Sequence, residues 1–238
     1  MRRRDSRSEG EPLGGGASGR VAGRSATEIA LRPNSRSSAV GDAPQRLRLF
    51  IALDLPAAVR LGIDAWGREA LADPALRRMG ASRLRITLAF LGNRPADEAE
   101  PLIAAVRQIG EGASAPSISL RDVEPLRSRG RPSVFVLAAD SPETEIVQIG
   151  LRTVLVDRDL YKPDGRRPFR PHVAVARVRP EGRGSRRPMA IRDVPTGPLP
   201  APLLESFHAE SVGLYRSELH PDGARHRLLG KVELSGSR

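Results

Sequence analysis

Apolar residues begin to recur in regular patterns at Leu47 and continue to Leu234. The run Leu47-Arg48-Leu49-Phe50-Ile51-Ala52-Leu53 reads as a largely buried strand, ended by Asp54-Leu55-Pro56. Pro56 opens a helix to about Leu71, because Val59, Ile63, Trp66 and Ala70 recur at three- and four-residue spacing. Residues 83–91 form the next strand, stopped by Gly92-Asn93. A second helix runs from Ala96, or from Pro101, to about Ile109, with Leu102, Ile103, Val106 and Ile109 on one face and Asp97-Glu98 suited to its N-terminal turn. The second half repeats the theme. Residues 118–120 and 133–137 alternate as strands, with Arg127, Arg129 and Arg131 in the turn between them. A helix over 142–157 turns Ile146, Ile149, Leu151 and Val154 inward, residues 171–178 form a strand, and residues 206–219 and 225–234 form a final hairpin across His220-Pro221-Asp222-Gly223. Strand-helix-strand units occur twice, which predicts an α+β architecture of two lobes, each a small antiparallel sheet with helices on its outer face, facing one another across a cleft.

The first 45 residues break this pattern. They hold Gly14-Gly15-Gly16, scattered serines, and eight arginines against five acidic residues, with no long apolar run. Such a stretch cannot bury enough surface to order itself, so it is expected to be a disordered tail, leaving residues 46–234 as the folded domain and 235–238 as a short C-terminal tail. The chain carries a formal charge of +11, and of its 39 basic residues only Lys162 and Lys231 are lysines. That excess of fixed guanidinium groups attracts phosphate-bearing partners. The absence of cysteine excludes disulfides, thiolate nucleophiles and Cys-ligated zinc together. Arg2-Arg3-Arg4 is not followed by the roughly 7–15 apolar residues of a signal segment, and no stretch approaches the ~20 apolar residues of a membrane span. The expectation is a cytoplasmic protein with no membrane partner, a monomer by default.

Two short segments match when laid together: Arg85-Ile86-Thr87-Leu88-Ala89-Phe90 and His172-Val173-Ala174-Val175-Ala176-Arg177. On a strand the first and third residues of each project from one face while the apolar residues between them enter the core, so each segment presents a pair to a cleft. Here the chain resembles the RNA 2′,3′-cyclic phosphodiesterases, also called the 2′-5′ RNA ligase family, within the 2H phosphoesterase superfamily. The resemblance covers roughly residues 46–234. It rests on Arg48-Leu49-Phe50-Ile51-Ala52-Leu53-Asp54-Leu55-Pro56, Ile86-Thr87-Leu88-Ala89-Phe90-Leu91-Gly92, Phe169-Arg170-Pro171-His172 and Leu214-Tyr215-Arg216-Ser217-Glu218-Leu219, in that order. It implies two His-x-Thr or His-x-Ser motifs meeting across the cleft. One histidine activates a water at phosphorus, the other protonates the departing 3′-oxygen to leave a 2′-phosphate, and the threonines help hold the phosphate oxygens. Imidazole suits both roles because its proton affinity lies near neutrality. No metal or other cofactor is implied.

The chain departs from that pattern twice. Arg85 stands where the first histidine belongs, with Thr87 retained, and Ala174 stands where the second hydroxyl belongs, with His172 retained. The resemblance makes His172 the proton acceptor and leaves Arg85 in the donor position, with Thr87 and Arg85 contacting phosphate. Arginine does not release its proton at physiological pH, so Arg85 cannot act as the usual acid. The expected function is opening of terminal 2′,3′-cyclic phosphates on RNA ends or nucleotides at an attenuated rate. The competing reading, from another class, is an inactive RNA-end or nucleotide-binding protein on the same scaffold.

The remaining features carry less. His220 and His226 flank a Pro-Asp-Gly turn and read as surface residues, and His208 as a variable polar position; none has metal-ligand spacing. Aromatics make up 3% of the chain, too few for an extended base-stacking platform, and Tyr161, Phe169 and Tyr215 are the candidates for holding one terminal base. Arg127, Arg129 and Arg131, with Ser185-Arg186-Arg187, read as solvated loops able to position a polynucleotide backbone.

Overall fold

The computed structural model describes residues 45–236 except 163–167, 183, 186, 193–194, 196–197 and 221–222. The expected N-terminal tail falls almost entirely outside the described residues, as do residues 237–238.

Strand β1 (Arg46–Asp54) is central to one half of the fold, flanked by β3 (Arg85–Pro95) and β8 (Ser211–Glu218), with β9 (Arg225–Glu233) beyond β8. In the other half β4 (Ser117–Ser128) and β5 (Arg131–Asp140) form a hairpin, and β5 pairs with β6 (His172–Val178). The short β2 (Leu76–Arg78), not anticipated from the sequence, pairs with the end of β6, and β7 (Phe207–His208) adds to β4. All these strand pairs are antiparallel, and the halves join in one sheet of order β7-β4-β5-β6-β3-β1-β8-β9. The junction is narrow: β3 meets β6 through the single registered pair Ile86 and Val173.

Alternation decides which face is covered. Leu49, Ile51 and Leu53 of β1 enter one contiguous core with Ile86, Leu88, Phe135, Leu137, Val173, Val175, Val212 and Leu214. That core also takes in Leu102 and Val106 of α2 (Ala99–Gly112) and Leu151 and Leu155 of α3 (Pro142–Asp157). Helix α2 runs so near β9 that a Cβ on Gly110 would lie 2.8 Å from Val232 Cβ, so only glycine fits. Helix α1 (Ala57–Ala70) follows Pro56, as expected, and packs on the four-residue α4 (Ala201–Leu204). The intervening residues of the strands look out from the other face, where Phe50, Ala52 and Tyr215 make a small second apolar cluster.

Four local expectations are corrected. The bounds of α3 are those read from the sequence, but its buried stripe is Thr144, Val147, Leu151 and Leu155, while Ile146 and Ile149 are 68% and 61% exposed. A helix covers a sheet with one narrow stripe, and the apolar residues of α3 exceed what that stripe holds. Arg127 and Arg131 belong to strands β4 and β5; the turn itself is Arg129-Gly130, both at positive φ (50° and 81°), as the tight type I′ hairpin requires. Strand β3 does not stop at Gly92 but continues to Pro95, the positive φ of Gly92 (71°) coinciding with a shift in register against β1. The segment 206–219 divides into β7 and β8, which pair with different neighbours.

Candidate active site

The pair Ile86 and Val173 sets the geometry of the open face. Antiparallel register around it puts Arg85 opposite Ala174 and Thr87 opposite His172, with all four side chains on the face away from the core. The two motifs read from the sequence therefore meet side by side across the seam. A cleft of roughly 380 Å³, large enough for a small ligand, opens there. Arg85, Thr87 and Ala174 line it, together with Arg48, Arg77, Arg83, Arg177, Phe50, Phe90, His220 and His226. His172 does not line this cleft itself; it stands next to it, flanked by the lining residues Thr87 across the seam and Ala174 along its own strand.

The five arginines reach the cleft from four directions. Arg48 comes from β1, Arg85 from β3, Arg177 from β6, and Arg77 and Arg83 from the segment that carries β2. Arg177 arrives by an irregularity: β6 shifts register against β5 between the pairs Ala174–Val136 and Ala176–Phe135, which buries Val175 and Ala176 in succession and turns Arg177 outward. Its guanidinium is more acidic than usual, through burial and through the charges of Arg77, Arg48 and Arg83. Mutually repelling cations held this closely are a site for an anion.

Arg85 differs from the other four in being buried, at 9% exposure. Asp54 lies behind it and accepts hydrogen bonds from Tyr215 Oη (2.5 Å) and Ser211 Oγ (3.0 Å). Arg85 Nε faces an Asp54 carboxylate oxygen at 3.5 Å, an ion pair without the geometry of a hydrogen bond. One terminal nitrogen donates to the Ser82 carbonyl at 3.0 Å, and the other meets Nδ1 of His226, also at 3.0 Å. The guanidinium carbon sits 4.0 Å from the centre of the Tyr215 ring, itself stacked on Phe50. Burial and the bond to Asp54 push the Tyr215 hydroxyl well above the usual phenol range. Tyr215 is thus buried beneath Arg85 and Phe50, which line the cleft, and is not a surface for a base. Tyr161 and Phe169 pack against the core, and the exposed aromatic of the cleft is Phe90, at 66%.

His172 is half-buried, with Nδ1 2.7 Å from the carbonyl of Arg170. A carbonyl only accepts, so Nδ1 carries the proton and Nε2 of the neutral ring keeps its lone pair. His208, read as a variable polar position, holds the Ala115 carbonyl from β7, outside the cleft lining, whereas His220, expected at the surface, is exposed at the cleft. His226 is the residue that sequence reasoning missed. It lies opposite Ser217 on β9, half-buried, with its ring edge-on to Phe50 (4.8 Å, 67°). Burial, then the charges of Arg85, Arg83, Arg177 and Arg48, lower its pKa from 6.5 to about 4. The basic loops meet elsewhere: Arg129, Arg131 and Arg187 line a second groove, where Glu181 pairs with Arg187 (3.0 Å) and Arg131 (3.8 Å). Arg186 lies outside the described residues. Among the described residues no cluster of His, Asp and Glu is arranged to hold a metal.

A single antiparallel sheet with helices on one face and an arginine-lined cleft at the seam of its halves is the architecture of a two-lobed phosphoesterase. No family model matches the chain. The RNA 2′,3′-cyclic phosphodiesterase of Escherichia coli is 32% identical over 133 residues, which span 55% of this chain and 71% of that protein. The enzyme of the same name from Thermus thermophilus is 26% identical over 195 residues, 80% of this chain and 91% of that one. In three dimensions the crystal structure of E. coli LigT with 3′-AMP superposes with a TM-score of 0.60 at 26% identity, covering 80% of this chain and 99% of that one. A crystal structure from T. thermophilus gives 0.62 at 25% identity, covering 81% and 100%. The chain belongs to the RNA 2′,3′-cyclic phosphodiesterase family of 2H phosphoesterases.

Proposed function

We propose that this protein opens 2′,3′-cyclic phosphates at RNA ends or on nucleotides, leaving a 2′-phosphate, and that it does so more slowly than a two-histidine member of its family. The observation that carries the reading is the register of β3 against β6, which sets His172 beside Thr87 at the edge of a cleft lined by five arginines. Arg48, Arg77, Arg83 and Arg177 draw in and hold the phosphate, and the Thr87 hydroxyl adds a hydrogen bond. His172, with Nδ1–H tied to Arg170, has Nε2 free to take the proton of an attacking water. Phe90 offers a face to the terminal base.

Attenuation follows from what the first motif lacks. Without an acid to protonate the leaving 3′-oxygen, the step slows by a factor of about 10²–10⁴. Ala174 forfeits one further charge-assisted hydrogen bond, about 1.5–3 kcal/mol if the site is closed. The test is purified protein on a short RNA ending in a 2′,3′-cyclic phosphate, with binding and turnover measured separately. Slow release of a 2′-phosphate, abolished by His172→Ala, is the expected result. Tight binding with no turnover in either protein would leave the inactive RNA-end-binding reading in its place, and a rate equal to that of a two-histidine relative would overturn attenuation.

A further inference from the structure

The bond between Arg85 and His226 fixes a proton. A guanidinium can only donate, so at 3.0 Å from it Nδ1 of His226 must present its lone pair, and the neutral ring carries its hydrogen on Nε2. A second proton would set N–H against N–H, with Arg83 of the segment after β2, Arg177 of β6 and Arg48 of β1 adding repulsion and Asp54 already engaged behind Arg85. The ring is held on both sides, by Arg85 and by the edge contact with Phe50, and it lines the cleft. Among the described residues no protein acceptor meets Nε2. His172 has the opposite tautomer, so the two imidazoles present a lone pair and an N–H.

We propose that His226 is an uncharged hydrogen-bond donor to the phosphate bound in the cleft, its Nε2–H standing in for the imidazole that Arg85 displaces from β3, with Arg85 as the positioning residue that holds its tautomer. This rests on the phosphoester reading of the cleft. As water oxygen bonds to phosphorus and the bond from phosphorus to the 3′-oxygen breaks, the water proton goes to His172 Nε2. The departing 3′-oxygen takes its proton from solvent. His226 keeps its own and stabilises the charge that develops, as a neutral imidazole can.

The experiment compares wild type with His226→Ala, His226→Gln and Arg85→Met. Its readouts are turnover of a cyclic-phosphate-ended trinucleotide from pH 5 to about pH 9, binding of the 2′-phosphate-ended trinucleotide, and the ¹⁵N shifts of the His226 ring. Glutamine offers an acceptor to Arg85 and an N–H to the phosphate without titrating. His226→Ala is expected to lose about 10- to 100-fold in kcat, His226→Gln to recover most of that loss, and the wild-type rate to rise with pH along one limb with no alkaline fall. Arg85→Met should let His226 titrate closer to the ordinary histidine range. Glutamine as poor as alanine, with a falling alkaline limb, would make His226 a charged acid and overturn the proposal. Unchanged kinetics and binding in both His226 variants would make the ring structural and overturn it equally. If wild type binds but does not turn over, the phosphodiesterase reading fails alone and binding decides: affinity lost tenfold or more in alanine and kept in glutamine supports the donor, and equal affinities overturn it. If wild type does neither, both readings fall.

Discussion

At the scale of single residues, the cleft is built around a cation that cannot act as an acid. Arg85 is fixed by Asp54, the Ser82 carbonyl, Tyr215 and His226, so replacing it disturbs several partners at once. The double change Arg85→His with Ala174→Thr should raise turnover of a cyclic-phosphate RNA about tenfold or more by restoring an acid. It should also lower stability by about 1–3 kcal/mol in urea unfolding, since Asp54 loses its cation. His226 makes a separate prediction in pH. Its folded-state pKa of about 4 lies below the ordinary 6.5, so between those values the unfolded chain binds a proton that the native protein refuses. The stabilisation is complete above 6.5 and lost as pH falls toward 4; for a partly solvated ring it amounts to about 2 kcal/mol. Urea midpoints measured against pH should fall less steeply below 6.5 in His226→Gln than in wild type.

Among the elements, α3 gives the sharpest test of how the sheet is covered. Leu151 is fully buried and Leu151→Ala should cost about 2–5 kcal/mol, whereas Ile149→Glu on the solvent side should stay within about 0.5 kcal/mol of wild type, both read from chemical denaturation. The ends of α3 were legible because Ser141 and Pro142 are strong start signals. Ser141 Oγ accepts the Thr144 amide hydrogen at 3.2 Å. Its rotation was misread: at one turn per roughly 3.6 residues Ile146, Ile149, Leu151 and Val154 scatter over about 200° of the helix, whereas the stripe that packs spans about 80° but includes the polar Thr144, which apolar spacing alone passes over. Strand β1 was legible from its apolar density, and the motif strands β3 and β6 from alternation around Ile86 and Val173. The three-residue β2 carries too short a pattern to be seen. The shift in β6 that turns Arg177 into the cleft depends on its pairing with β5, which no local pattern encodes.

For the whole molecule, the charge of +11 is concentrated to effect where Arg48, Arg77, Arg83 and Arg177 converge. Binding of a short phosphate-ended RNA should weaken with salt, with a slope of about 3 in log Kd against log salt if those four arginines each meet a phosphate charge. Arg177→Ser should reduce that slope by about 0.7. The sequence made His172, Thr87 and Arg85 legible through the resemblance of their two short segments to the family's motifs, while alternation alone put them only on one strand face. It hid His226 because that ring gains its meaning from Phe50 and Arg85, which the chain supplies from far earlier strands, while its own neighbours spell a turn. The lone rung between Ile86 and Val173 has a mechanical consequence. Every other neighbouring pair in the main run of the sheet is laced by two or more registered residues, so the halves flex against each other most easily along this line. Because one packed core underlies both halves, any widening of the cleft mouth for a bulky RNA terminus should stay small, and distance labels on opposite halves should register a spread of that modest size between a bound oligonucleotide and a mononucleotide.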